Sequence, residues 1–156
     1  MSAGMTNTYN VLGNLLRFLV RGSDGDSSYS LMEGTFPPGH GAPPNRHAAD
    51  DEAFYILEGT FEFMVGGETK TGGAGTFVKI PRGAVHAFKN IGRDNGRLLV
   101  INSPGHIHDA FFSEAGDPLP PDTTELPPSG PPDIARALAA GQRNGIEFIL
   151  DGHPTG

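Results

Sequence analysis

Apolar and polar residues alternate through the first two thirds of the chain, and a 3.6-residue period is hard to find there. Alternation puts successive side chains on opposite faces of a strand. It predicts strands over 15–21, 29–36, 52–57, 60–65, 68–71, 76–80, 86–90 and 97–102. A turn-rich stretch, 22–28, separates the first two, and Gly66-Gly67 signals a hairpin because both central residues of a primed turn need positive φ. The segment from Pro37 to Pro44 looks too rich in proline for a central strand, since proline cannot donate to a ladder. Short strands at this density predict an all-β sandwich or barrel.

The last third breaks the pattern. Residues 109–114 read as one or two helical turns, and seven prolines fall among the 15 residues from Pro118 to Pro132, which suggests an extended surface tether. A short helix is expected over 133–144. Asp133 would be its N-cap, Ile134 and Leu138 would share a face, and Gly145 would end it. Residues 146–150 are apolar enough to need a surface, on the barrel or on a partner subunit. The expected organisation is a barrel over 1–115, followed by a tether and helical tail over 116–156.

Composition narrows the function classes. Gly (23) and Pro (14) together approach a quarter of the 156 residues, which disfavours a helix bundle. Eighteen acidic against 11 basic side chains give a net charge of −7, arguing against nucleic acid or an anionic membrane as partner. The absence of Cys excludes disulfides, thiolate ligands and cysteine nucleophiles. The early apolar stretch 11–20 contains Gly13, Asn14 and Arg17 and has no basic flank, so it reads neither as a signal peptide nor as a transmembrane helix. A cytoplasmic location is the default expectation.

The six histidines stand at positions 40, 47, 86, 106, 108 and 153, and two fall inside long framed patterns. One runs Gly39, five residues, Asn45, one residue, His47, four residues, Glu52, six residues, Gly59. The other runs Gly75, five residues, Pro81, one residue, Gly83, two residues, His86, three residues, Asn90. These resemble the two motifs of the cupin superfamily, G-x5-H-x-H-x3–4-E-x6-G and G-x5-P-x-G-x2-H-x3-N. The second motif matches at every fixed position; the first differs only at Asn45, which stands where the first histidine belongs. The stretches 51–59 and 97–105 are similar to the single-domain, quercetin-dioxygenase-like branch, and the resemblance covers roughly residues 13 to 115. It implies a jelly-roll β-barrel of two antiparallel sheets. It also implies a divalent first-row transition metal (iron, manganese, nickel or zinc) held by His47, Glu52 and His86, with Asn45 at the fourth place. The activity implied is a dioxygenase acting on a small enolic or aromatic, flavonol-like compound. A cupin isomerase or cyclase, or a non-catalytic small-molecule binder with a degenerate site, is the alternative.

The residues support a site independently. On a strand, positions 45 and 47 share a face; Glu52 opens the next strand, and His86 follows a Pro-Arg-Gly turn. Two imidazoles and one carboxylate on rigid elements can chelate a divalent cation, and this donor set is that of the non-haem iron oxygenases. A carboxylate buried with two histidines is costly without compensation, which favours a metal. Against this stands a metal-free frame whose polar residues satisfy one another. The Asn45 amide is a weaker donor than imidazole and leaves three readings open: fourth ligand, partner of a metal-bound water, or mark of a lost site.

Other residues carry less. His106 and His108 follow the last barrel strand and are expected on the rim or in a loop; His40 sits in the Pro-rich entry, and His153 is expected to be solvated. Phe54, Phe61, Phe63, Phe77 and Phe88 alternate along strands as barrel core, with Phe54, Phe63 and Phe88 expected to wall an apolar ligand pocket. Asp50 and Asp51 read as turn residues, with Asp51 as base a distant alternative. The glycine run 72–75 enters a strand rather than opening a helix, so nucleotide binding has little support. Tyr55 with Leu57, and Leu98 with Val100, suggest more apolar faces than one barrel can cover. A homodimer is therefore expected, with a small-molecule ligand as the other partner.

Overall fold

The computed structural model describes residues 6–24, 28–126, 128, 130–150 and 153–154. The middle of the 22–28 turn and parts of the proline tether lie outside the described residues, as does the His153 side chain.

Two antiparallel sheets face each other. Along the chain the strands are β1 (Thr8–Val11), β2 (Asn14–Val20), β3 (Ser30–Phe36), β4 (Gly41–Arg46), β5 (Asp51–Glu58), β6 (Phe61–Val65), β7 (Glu68–Gly72), β8 (Phe77–Ile80), β9 (His86–Asn90) and β10 (Gly96–Ser103). Then follow helix α1 (His106–Ala115), β11 (Asp117–Leu119), helix α2 (Ile134–Arg143), β12 (Glu147–Leu150) and β13 (His153–Pro154). One sheet has the order β11-β1-β2-β3-β10-β5-β8, the other β13-β12-β4-β9-β6-β7. The expected jelly-roll barrel is observed, with two short helices in the last third of the chain.

The alternation that predicted the strands also builds the core. Met32, Ile56, Phe61 and Leu98 are completely buried between the sheets, while Tyr55 and Phe77 face outward. Phe77 therefore departs from its expected place in the core. Leu98 and Val100 point inward; the outward apolar residues of β10 are Leu99 and Ile101, and those two belong with Tyr55 on the apolar outer face. None of the described helices is long and apolar enough to cross a membrane.

The proline-rich entry differs from expectation. β4 runs through Pro43 and Pro44 and lies between β9 and β12. Its register against β9 shifts between Ala42 and Asn45, and its pairing with β12 is confined to Asn45 and Arg46. Both prolines thus sit where the ladder is interrupted and no N–H is required.

The end of the chain is woven into both sheets. β11 pairs with β1, and β12 pairs with β4, so the surface that residues 146–150 need is this barrel's own. Asp133 caps α2 by accepting from the Arg136 N–H at 3.0 Å. The buried face of α2 is Ala137, Ala140 and Gly141 rather than Ile134, which is half exposed. Small residues let the helix lie close under Phe148 of β12. Arg136 then ties α2 to the end of α1 through the Glu114 and Gly116 carbonyls, at 2.8 and 2.5 Å.

Candidate metal centre

Four strands and one helix deliver side chains to one buried point. β4 carries Asn45 and leads directly into His47; a short connection carries Asp50; Glu52 lies on β5, His86 opens β9, and Asn102 pairs across from Glu52 on β10. Helix α1 brings His108. All of these side chains are buried.

The position of α1 follows from local sequence. Its first turn rests where the backbones of Gly22 and Gly105 touch, and a Cβ at either glycine would collide with the other segment. Within the helix His108, Phe111 and Ala115 are spaced three and four apart, so the buried stripe that docks α1 also turns His108 inward.

Hydrogen bonding orients each imidazole. His47 Nδ1 lies 2.5 Å from Asp50 Oδ1, and His86 Nδ1 lies 2.9 Å from the Ala84 carbonyl oxygen. His108 Nδ1 is 3.0 Å from Asp50 Oδ2, although it is not aligned to make a hydrogen bond. The opposite nitrogens all turn to Glu52. His47 Nε2 and His86 Nε2 stand 3.2 and 2.9 Å from Oε1, and His108 Nε2 is 3.4 Å from Oε2. Asn102 Nδ2 donates to Glu52 Oε2 at 2.8 Å and to Asp50 Oδ2 at 3.2 Å.

A carbonyl can only accept, so His86 donates from Nδ1, and a neutral ring then presents the Nε2 lone pair to a carboxylate. His47, donating from Nδ1 to Asp50, does the same. Lone pairs meeting a carboxylate oxygen require a proton or a metal ion between them. Without an ion, protons supply the compensation. Burial alone would lower the His47 pKa, but hydrogen bonds to Asp50 and Glu52 and their charges outweigh it, raising it to about 9. Burial would raise Asp50, yet His108 and His47 bring it down to about 2. Glu52, despite complete burial, is held well below the usual carboxylate range by His108, His47 and His86.

The donor set also fits a cation. One ligand atom each from His47, Glu52 and His108 lie within 4.8 Å of one another. His86 Nε2 contacts the same Glu52 oxygen as His47, the two ring centroids lying 5.1 Å apart. Asn102 Oδ1 and His108 Nδ1 are buried with no hydrogen-bond partner among the described residues, further capacity left unused by the protein alone.

His108 and Asp50 are the residues the sequence reading left out of the site. His108 is inside the barrel rather than on its rim, and Asp50, in the expected turn, is fully buried with its carboxylate beside the His47 and His108 imidazoles. The helical spacing of His108 with Phe111 and Ala115 was the available signal. Asp51 is exposed and paired with Arg82. Asn45 donates its amide N–H groups to the Pro43 and His86 carbonyls, at 2.9 and 3.3 Å.

A cavity of about 90 Å³ adjoins the cluster, and Asn45, Glu52, His86 and His108 reach it. Phe54 and Phe88 wall it; Phe63 does not line it but stacks on Phe88 from behind, with ring centroids 5.4 Å apart.

Known proteins resemble this chain in sequence and shape. A family model described as a cupin domain matches residues 32–102. An uncharacterised protein of Streptomyces coelicolor is 32% identical over 92 residues, covering 59% of this chain and 81% of the relative. An uncharacterised protein of Aquifex aeolicus is 38% identical over 63 residues, covering 40% of this chain and 51% of the relative. Among solved structures, a predicted oxalate decarboxylase of Thermotoga maritima superposes with a TM-score of 0.56 at 21% identity, over 66% of this chain and 96% of that one. An RmlC-like cupin of Shewanella frigidimarina gives 0.55 at 20% identity, over 67% and 88%. At these identities the structural likeness speaks for the fold alone.

Proposed function

We propose that the chain, which belongs to the cupin superfamily, holds a first-row divalent cation with His47, Glu52 and His108, supported by His86, and acts on a small molecule in the adjoining cavity. The observation that carries this reading is the convergence of three imidazole Nε2 atoms on one buried carboxylate, with the Nδ1 atoms of His47 and His86 each held by a fixed oxygen. An outer acceptor on Nδ1 fixes the tautomer and makes Nε2 the donor, the arrangement metal-ligating histidines use.

The cation would supply Lewis acidity and, if redox-active, electrons for dioxygen chemistry. The protein's own part is more specific. Glu52 supplies the charged ligand, and Asp50 holds His47 with Nε2 inward. Asn45, its N–H groups committed, offers its amide oxygen as an acceptor for a ligand hydroxyl. Phe54 and Phe88 keep bulk water from the ligand. A donor set of imidazoles and one carboxylate suits oxygenase chemistry, and a dioxygenase is the activity we assign. Oxygen uptake by the iron-loaded protein with small enolic compounds tests it, and no uptake above buffer would refute it. A binding protein without turnover is the second reading, favoured by the mutual hydrogen bonds that hold the cluster together without an ion.

Elemental analysis decides the metal itself. Protein produced with iron, manganese, nickel and zinc should retain about one equivalent, and Glu52→Ala should retain none. Full retention in that variant would exclude the site. The apolar outer face with Tyr55, Phe77 and Ile101 supports a homodimer as the assembly, and light scattering at the monomer mass of 16.4 kDa would overturn that.

A further inference from the structure

We infer that the tail of the chain, from α2 to Phe148 of β12, is a movable cover. It swings off while the rest of the barrel stays folded, and so widens the way to the buried cluster for an organic molecule. The inference concerns access alone and holds whether or not the site carries a metal.

The tail lies where a cover has to lie. The cavity beside the cluster is partly open, and Ile146 and Phe148 form one of its walls next to Phe111 and Phe112 of α1. The tail spans from α1, which α2 meets, to β4, with which β12 pairs. Both supports are fixed without it. The buried Asp109–Arg21 pair and the close approach of Gly22 to Gly105 hold α1, and β9 holds β4 from its other side.

The attachments of the tail are slight by comparison. β12 pairs with β4 at two positions, Glu147 with Arg46 and Phe148 with Asn45, whereas β10 pairs with β3 at seven. The polar ties at its far end reach the surface on both margins. Arg46 Nε donates to Glu147 Oε2 at 2.7 Å on one side; on the other, Arg143 Nε and Asn144 Nδ2 donate to the Glu114 carboxylate at 2.6 and 2.9 Å. Exposed ion pairs contribute little, because water competes for both partners. Arg136, in the first turn of α2, keeps its bonds to the Glu114 and Gly116 carbonyls and marks the pivot.

The apolar hold is also small. The buried face of α2 is Ala137, Ala140 and Gly141, which offer little area to bury. Ile146 and Phe148 are the larger anchors, and they are the residues that wall the cavity. A molecule entering there replaces contacts that these two give up. Opening parts only these contacts, so it costs less than unfolding the sheets.

Thiol labelling tests this, since the chain has no cysteine of its own. Val100→Cys places a thiol on the cavity wall, and Val78→Cys places one in the core away from the cavity. The probe is dithiodipyridine, a small uncharged aromatic disulfide, applied to metal-free protein. Arg46→Cys with Glu147→Cys, directly opposed in the ladder, closes a disulfide across the far end of the cover. This crosslink should slow labelling at position 100 at least tenfold and leave position 78 unchanged. Glu114→Gln, which loosens the latch and does not line the cavity, should speed labelling at position 100 at least threefold, again with position 78 unchanged. An equal rate at position 100 with and without the crosslink would overturn the cover. So would equal slowing at both positions, because the crosslink would then act through global stability. If the disulfide does not form, an unchanged rate at position 100 in Glu114→Gln overturns it.

Discussion

Two buried charge clusters meet at neighbouring residues of α1, and they are built on opposite principles. Asp109 pairs with Arg21, whose guanidinium also donates to the Thr6 carbonyl and to Tyr9 Oη, each at 2.6 Å, and lies over the Phe18 ring. Ser23 N–H closes the second Asp109 oxygen at 3.1 Å. Here a permanent cation meets a buried carboxylate. One residue earlier, His108 enters a cluster of two carboxylates and three imidazoles that contains no permanent cation. The first is a finished joint that fixes α1; the second is complete only with protons or an ion. Burial of charge does not by itself mark a functional site, but burial without a matched partner does.

The largest effect should come from breaking the finished joint. Arg21→Met leaves Asp109 buried and unpaired, and should cost about 3–5 kcal/mol in urea denaturation. Zinc should not restore it, because the damaged cluster is not the one that takes metal. Replacing both partners, Arg21→Met with Asp109→Leu, should recover most of the loss. If the double variant is as unstable as the single one, the pair is not the source of the cost.

The unfinished cluster should respond to pH where the joint does not. His47 has a folded pKa of about 9 against an ordinary 6.5, so its contribution is fully present below pH 6.5 and is lost as pH rises through 9. That difference is roughly 3 kcal/mol. Asp50 works in the other direction: lowered from 3.8 to about 2, its contribution is present above 3.8 and is lost as pH falls through 2. The groups facing His47 are Asp50, Glu52, His86 and His108. Metal-free protein should therefore be most stable between about pH 4 and 6.5 and weaken toward pH 9. A cation requires neutral His47, so its affinity should rise about tenfold per pH unit up to that value, with proton release on binding. Denaturation at pH 5, 7 and 9, with and without zinc, checks both; a metal-free protein equally stable at pH 5 and 9 would contradict the cluster's charge balance.

A smaller effect separates Asp50 from the ligands it orients. Asp50→Asn keeps size but weakens the hold on the His47 Nδ1 atom, and should lower zinc affinity about 10–100-fold without removing a ligand. Unchanged affinity would mean that Asp50 serves stability alone.

Much of this was legible in the sequence, for a physical reason. Strand alternation and glycine spacing are local, so the two sheets, the Glu52 and His86 positions and the Asp133 cap follow from short windows of sequence. What escaped depends on distant segments. β4 passes through Pro43 and Pro44 only because its ladder slips there, and that slip is a property of the partner strand's register. β11 and β12 are strands because β1 and β4 offer edges to pair with. His108 was hidden for the same reason: its local signal is a helix face, and only the docking of α1 turns that face into the barrel.

The smallest expected effect tests whether His108 has taken over from the missing histidine. Asn45 holds the first-histidine position of the motif, yet its N–H groups tie β4 to His86 and to its own strand. If its role is to anchor that strand and to accept from the ligand, Asn45→Ala should cost about 1–2 kcal/mol of stability, one modest term for each hydrogen bond lost. Zinc affinity should stay within about threefold of the parent. His108→Ala should show the reverse: a zinc affinity lowered by at least tenfold, as expected for a lost imidazole ligand. The two variants lie in the same cluster and remove side chains of similar burial, 7% and 5% exposed, so they are a matched comparison. Zinc affinity falling further in Asn45→Ala than in His108→Ala would return the fourth place to Asn45 and leave His108 as packing.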